Sequence, residues 1–245
     1  MMKLLQSIQR GLLMLIRGKV TCFAKEIYRR INSTEYTYVL RRDFRKPHEP
    51  PKAKIAIQVR ELKPKDVDKV FEHGQRKEVE PDAVAYQEKI LNSKAPEHYV
   101  AVDQEDNPAY IQCLVRSDAS DQFKDEFGEY FPDVQPNEIL MDGAFMSRAY
   151  MGKKIMPEAL SRVSESGRDK KTTHAITLVE MDNTASLKGC YRAGFHPYLL
   201  REVRWRLFRE DITYKPTPSW AENYFYKTVG VSTENQHQTV ANLAS

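Results

Sequence analysis

Residues 151–155 place one glycine, Gly152, among basic residues directly ahead of a helical pattern. Amides at a helix N-terminus attract phosphates whatever their side chains, and Arg148, Lys153 and Lys154 add positive charge there. Upstream, the carboxylates Glu138 and Asp142 fall four positions apart in a strand pattern and so share one face. A carboxylate beside an amine can take its proton, and an amine of pKa about 10.4 must lose one before it attacks. The plainer reading of either carboxylate is a strand-end charge or a cap. His98, His174 and His196 open strands with no Ser or Cys partner, and the six histidines are spread too widely for a ligand set, so neither a metal centre nor a nucleophilic triad is expected. Cys22, Cys113 and Cys190 have no C-x-x-C spacing, which points to a reducing compartment, the cytoplasm.

The elements that must carry these groups are legible in order. NEILMDGAF reads as a buried strand, with apolar Ile139, Met141 and Phe145. After the polar turn SRAYMGKK, Ile155, Ala159, Leu160 and Val163 recur at helical spacing up to a stop at Ser166 and Gly167. HAITLV is a second apolar strand, and DNTASLKGCYRAGF is a capped helix ending at Gly194. Upstream come a strand over Ile55–Glu61, the helix PKDVDKVFEHG closed by Gly74, the helix PDAVAYQEKILN from Pro81, and a hairpin of HYVAVD and AYIQCLVR. Ser117–Pro136 is an acidic, Phe-rich insertion that reads as a surface loop with one helical turn; its functional alternative is a cover over an acceptor pocket. Glu35–Phe44 reads as an extra edge strand, EVRWRLF as a closing strand, and Asp211–Gly230 as an aromatic flap.

From Ile55 to Phe208, and most closely from Glu138 to Phe195, this order and wording resemble the GCN5-related N-acetyltransferase (GNAT) family. The resemblance implies an α/β fold with a mixed, mostly antiparallel sheet flanked by helices, and transfer of an acyl group, most simply acetyl, from acetyl-CoA to an amine acceptor. The family's turn reads Arg/Gln-x-x-Gly-x-Gly/Ala and holds the coenzyme pyrophosphate; here Met151, Gly152, Lys153, Lys154 and Ile155 occupy it. Met151 replaces the opening basic residue, and Lys154 and Met156 stand at the two small positions. Asn183 and Ser186 match the Asn-x-x-Ser signature whose asparagine meets the pantetheine. An amide near Phe145 or Met146 would stabilise the oxyanion, and Glu138 matches the base of the histone-acetylating members. The family's tyrosine acid falls at Cys190, with Tyr191 one residue on, a helical rotation of roughly 100°. Cys190 can replace it as acid; its plain reading is a small buried residue.

The 245 residues, 41% apolar and 29% charged, suit a globular protein with one sizeable core. A net charge of +4 is only mildly basic, and one short basic-aromatic run at Arg41, Arg42 and Arg45 is too little to point to nucleic acid as a partner. Residues 1–31 form an amphipathic pattern that Arg10 and Arg17 make too short to span a bilayer. A helix packed on the domain, an in-plane membrane anchor and a presequence are its three readings. The expected division is 1–51 for this helix, the strand and a Pro-rich linker, 52–210 for the GNAT-like domain, and 211–245 for the flap and a polar tail. A competing class is a non-catalytic GNAT-derived module that binds a membrane surface or a protein partner.

Overall fold

Tyr38, Val39 and Leu40 are fully buried in a strand whose sequence suggests a sheet edge. The computed structural model describes residues 20–72 and 81–231, so most of the N-terminal amphipathic pattern lies outside the described residues. In chain order the elements are α1 (Val20–Ile31), β1 (Asn32–Asp43), β2 (Gln58–Glu61), α2 (Pro64–Glu72), α3 (Pro81–Asn92), β3 (Glu97–Val102), β4 (Pro108–Arg116), α4 (Ser120–Phe127), β5 (Glu138–Met146), α5 (Ile155–Ser166), β6 (His174–Glu180), α6 (Thr184–Arg192), β7 (His196–Arg206), β8 (Arg209–Pro216) and α7 (Ser219–Val229). The strands follow the order β2-β3-β4-β5-β6-β1-β7-β8. This is the expected class, a mixed, mostly antiparallel sheet with flanking helices.

β1 pairs antiparallel with β6 from Thr37 opposite Glu180 to Asp43 opposite His174. It is therefore an interior strand, and the edge assignment for Glu35–Phe44 is corrected. It lies between β6 and β7 in the sheet order, and its three consecutive buried residues also need cover on both faces, which packed helices supply. Tyr38 meets this need by packing edge-on against Phe225, and its hydroxyl donates to the Ala221 carbonyl at 2.6 Å. Four residues on, buried Arg42 donates to Ser161 Oγ at 3.0 Å, Ser164 Oγ at 2.9 Å and Glu165 Oε1 at 2.6 Å, which fastens β1 to α5.

The described residues divide into two bodies, one of residues 37–72, 81–200 and 215–231 and one of residues 20–36 and 201–214. In the larger body α5 buries Ile155, Ala159, Leu160 and Val163, the stripe its sequence shows. The insertion Ser117–Pro136 departs from the expected loop. It forms the two-turn helix α4, because Phe123, Phe127 and Phe131 recur every four residues and stack into one cluster. Phe123 is fully buried, and Phe127 packs edge-on against Tyr86 of α3 at 5.9 Å. A surface insertion thus becomes a buttress for α3.

In the smaller body, Arg29 and Arg30 of α1 lie over the Trp205 ring at 5.6 and 5.3 Å. β7 and β8 join through Leu207 and Phe208, both left-handed at φ 47° and 64° and both exposed. Such a turn favours Asn-Gly, and each side chain there costs about 1–2 kcal/mol. Amides of Leu207 and Phe208 donate to the Ile31 and Arg30 carbonyls at 2.9 and 2.8 Å, which holds the strained turn in place.

Candidate active site

β5 and β6 run parallel for only four pairs, from Glu138 opposite His174 to Met141 opposite Thr177. β5 continues to Met146 against β4, while β6 continues to Glu180 against β1. The register of β4 and β5 shifts between Ile111 and Cys113, so an extra residue enters β5 beside Gly143. Gly143 has φ +63°, and a Cβ there would lie 3.1 Å from two Ile90 carbons, so glycine is what lets this bulge form. Between the parting strands lies a cavity of about 240 Å³.

Asp142, Gly143 and Ala144 line one wall, and Thr177, Leu178, Val179 and Glu180 the other. Tyr86 and Gln87 of α3 enter from one side, Met156 and Leu160 of α5 and Asn183, Ser186 and Cys190 from the other. The charged lining side chains are Asp142 and Glu180, so the cavity favours a cation. Tyr86 Oη donates to Asp142 Oδ2. Gln112 Nε2 donates to the Asp142 carbonyl at 2.5 Å, and its Oε1 accepts from the Tyr110 hydroxyl, so the bulge is pinned from the neighbouring strand. Burial drives the Tyr110 hydroxyl and the Cys113 thiol well above their ordinary pKa, which keeps both neutral behind Asp142.

Two residues before Met156 is Lys154, the N-cap of α5, in the left-handed region at φ 58° with no side-chain cap on the helix. Gly152 is left-handed as well, at φ +76°, and nothing lies within 4 Å of where a Cβ would stand. Backbone that turns this way ahead of an uncapped helix presents amides to an anion. The Lys153 ammonium lies 4.8 Å over the Tyr150 ring. Lys153 turns its carbonyl away, to the Lys54 amide at 2.8 Å. A basic turn and an acidic cavity therefore adjoin along one turn of α5.

The structure brings together only part of the residue set chosen from sequence. Asn183 caps α6, its side chain accepting from the Ser186 amide at 3.1 Å, and both residues reach the cavity. Cys190 lines it too, fully buried, its thiol pushed up to about 12 by burial. Tyr191 points elsewhere, into an aromatic cluster with His196, Phe225 and Tyr226. Phe145 and Met146 pack on apolar clusters of the sheet, Met151 is 61% exposed, and Ile155 is buried at the start of α5. Glu138 lies at the far end of β5 and does not line the cavity; it is buried, 4.0 Å from Arg41, with the Gln135 amide 3.2 Å from its Oε2. Of the two carboxylates weighed from sequence, Asp142 is the one at the cavity.

Tyr86, Gln87 and Gln112 were not singled out by the sequence. Gln112 left a signal, as the one polar residue inside the apolar run AYIQCLVR. Gly143 left another, since a glycine within a strand often marks a bulge.

No protein-family model matches the chain, and no curated protein matches it. Solved structures of GNAT-family acetyltransferases are similar to it. One from Colwellia psychrerythraea has 13% identity and a TM-score of 0.46, over 76% of this chain and 60% of that one. One from Sphaerobacter thermophilus has 13% identity and a TM-score of 0.42, over 76% and 57%. One from Novosphingobium aromaticivorans has 12% identity and a TM-score of 0.41, over 70% and 64%. The chain thus spans about 60% of the length of the first two of these.

Proposed function

We propose that this protein is an acyl-CoA-dependent N-acyltransferase that transfers acetyl to a primary amine. The observation that carries the reading is the adjacency of two sites of opposite preference. An uncapped helix N-terminus flanked by Lys153, Lys154 and Arg148 suits a polyanionic carrier, and an acidic cavity one helical turn away suits a cationic acceptor. Acetyl-CoA, when bound, supplies the activated acyl group as a thioester.

The residues that would hold it are the amides of Gly152, Lys154, Ile155 and Met156, with Asn183 and Ser186 beyond. An amide near Phe145 or Met146, just after the bulge on β5, would be the donor for developing negative charge. Asp142 takes the proton of the incoming ammonium, with Tyr86 orienting its carboxylate. Cys190 stays a neutral thiol at the cavity and can offer a hydrogen bond there. Met156 lies where a small residue would leave room: its Sδ is 2.7 Å from the position of a Cβ on Gly189, so it fills the space between α5 and α6.

Calorimetric titration with acetyl-CoA tests the reading, with free CoA alongside. Micromolar binding is expected, and exchange of Lys153 and Lys154 for Ala should weaken it about tenfold or more, since charge-assisted bonds are lost. Absence of binding at millimolar acetyl-CoA would reject the proposal.

A second reading has one observation in its favour. The strained tip Leu207–Phe208 is 77% and 55% exposed and flanked by Arg206 and Arg209, a cationic-apolar pair of features that suits an anionic bilayer surface. Among the described residues no helix is long and apolar enough to cross a membrane. Co-sedimentation with phosphatidylserine vesicles should fall when Leu207 and Phe208 are both changed to Ser; equal pelleting of the two proteins discards this reading.

A further inference from the structure

Two glutamines border the cavity, and they differ in one respect. Gln112 has its carbonyl oxygen and its amide both engaged. Gln87 is 8% exposed, its Nε2 reaches the Ala144 carbonyl at 3.5 Å, and its Oε1 is buried with no hydrogen-bond partner among the described residues. A buried acceptor without a donor is a standing cost that a ligand N–H can remove. The last torsion of a glutamine is broad, so this oxygen can turn toward the cavity without moving α3.

We propose that Gln87 reads the acceptor, its side-chain oxygen receiving one N–H of a primary ammonium whose charge Asp142 balances. The proposal rests on the acyl-transfer reading above and sharpens it, because it names the class of acceptor. A primary ammonium has three N–H donors, and the lining residues able to accept them include Asp142, Thr177 and, once its oxygen has turned, Gln87. A carboxylate offers about four lone-pair sites, and Tyr86 donates to one of the Asp142 oxygens. A tertiary ammonium keeps a single N–H, which Asp142 takes, and it puts a methyl group where Gln87 expects a donor and leaves that oxygen buried and unpaired. Discrimination of that kind is stronger than an apolar pocket achieves, because it exposes an unmet polar group and not merely a gap. The helix that carries Gln87 is itself held by α4, through Phe127 against Tyr86 and the Lys89 ammonium 4.4 Å over the Phe127 ring. The insertion thereby sets where the reading oxygen stands.

The test uses the whole chain and two isomeric probes, n-hexylammonium and N,N-dimethylbutylammonium. Their affinities are measured by ligand-observed NMR for the wild type, Gln87→Leu and Gln87→Glu. The wild type should favour the primary amine by about tenfold, the worth of one such unmet bond. Gln87→Leu should abolish the preference and melt no lower than the wild type, because it removes an unpartnered polar atom from a buried place. Gln87→Glu keeps an acceptor and should preserve the preference. Equal affinities in the wild type, or an unchanged preference in Gln87→Leu, overturn the proposal. Acetyl-CoA calorimetry on the same samples separates the two layers of the argument. A protein that binds acetyl-CoA but treats both amines alike loses the Gln87 assignment and keeps acyl transfer. One that selects the primary amine but binds no acetyl-CoA keeps Gln87 as the amine reader and loses acyl transfer.

Discussion

Asp142→Asn is expected to lower kcat for acetyl transfer by about a hundredfold to ten-thousandfold, the usual worth of a positioned general base. The amide keeps the shape of the carboxylate and can still accept from Tyr86, so binding of acetyl-CoA should survive. Thiol release with n-butylamine as acceptor measures the loss. A rise in pH should partly restore the rate, because a deprotonated amine no longer needs the base. The companion variant is Glu138→Gln, at the end of β5 away from the cavity, for which unchanged turnover is expected. Its signature lies in stability. Burial holds the Glu138 carboxyl above the ordinary glutamate range, with the Gln135 amide and Arg41 opposing the shift in part. A group whose pKa is raised by folding stabilises the protein below its unfolded value and loses that contribution as pH rises through the folded value. Glu138→Gln should therefore raise the melting temperature at pH 7 relative to the wild type and do so less at pH 4. If turnover falls with Glu138→Gln and not with Asp142→Asn, the base is at the other end of the strand.

The second large effect is one of stability. Phe123→Ala should cost about 3–5 kcal/mol, as deletion of a fully buried phenyl ring does. The ring is 0% exposed and stacks on Phe127 at 4.5 Å and against Phe131 at 4.8 Å, so its loss leaves a cavity in the aromatic cluster of the insertion. Urea denaturation followed by circular dichroism gives the size. A loss under about 1 kcal/mol would mean that the site collapses around the missing ring or that α4 is not cooperative with the rest. The same substitution loosens Phe127, and with it the partner of Tyr86. A higher KM for the amine with an unaltered affinity for acetyl-CoA is the expected kinetic trace.

The central run was legible because each element declares itself locally. α5 begins and ends where its apolar spacing and the Ser-Gly stop indicate, and Asn183 caps α6 as its sequence suggests. The resemblance led to Asn183, Ser186 and Cys190, which do share one cavity. It led equally to Tyr191, which a rotation of one residue sends into the aromatic cluster under α7, and to Glu138, which matches by position in the strand and lies remote from the gap. The edge reading of β1 fails for a different reason. Whether a strand is interior depends on a partner more than a hundred residues away, as His174 is from Asp43, and nothing local encodes that pairing. Gln87 carries no signal at all in the sequence, since its importance lies in what fails to touch it.

The place of β1 bears on how the chain may be shortened. A version trimmed to begin at Lys52, where the Pro-rich run invites a cut, would lack the strand that covers β6 from His174 to Glu180. The exposed row of amides and carbonyls would be a template for pairing with other copies, and the residues between are mostly apolar. Ser161, Ser164 and Glu165 would lose the guanidinium that ties α5 to the sheet. Aggregation of such a fragment would then report a missing strand and say nothing of the acyl-transfer chemistry.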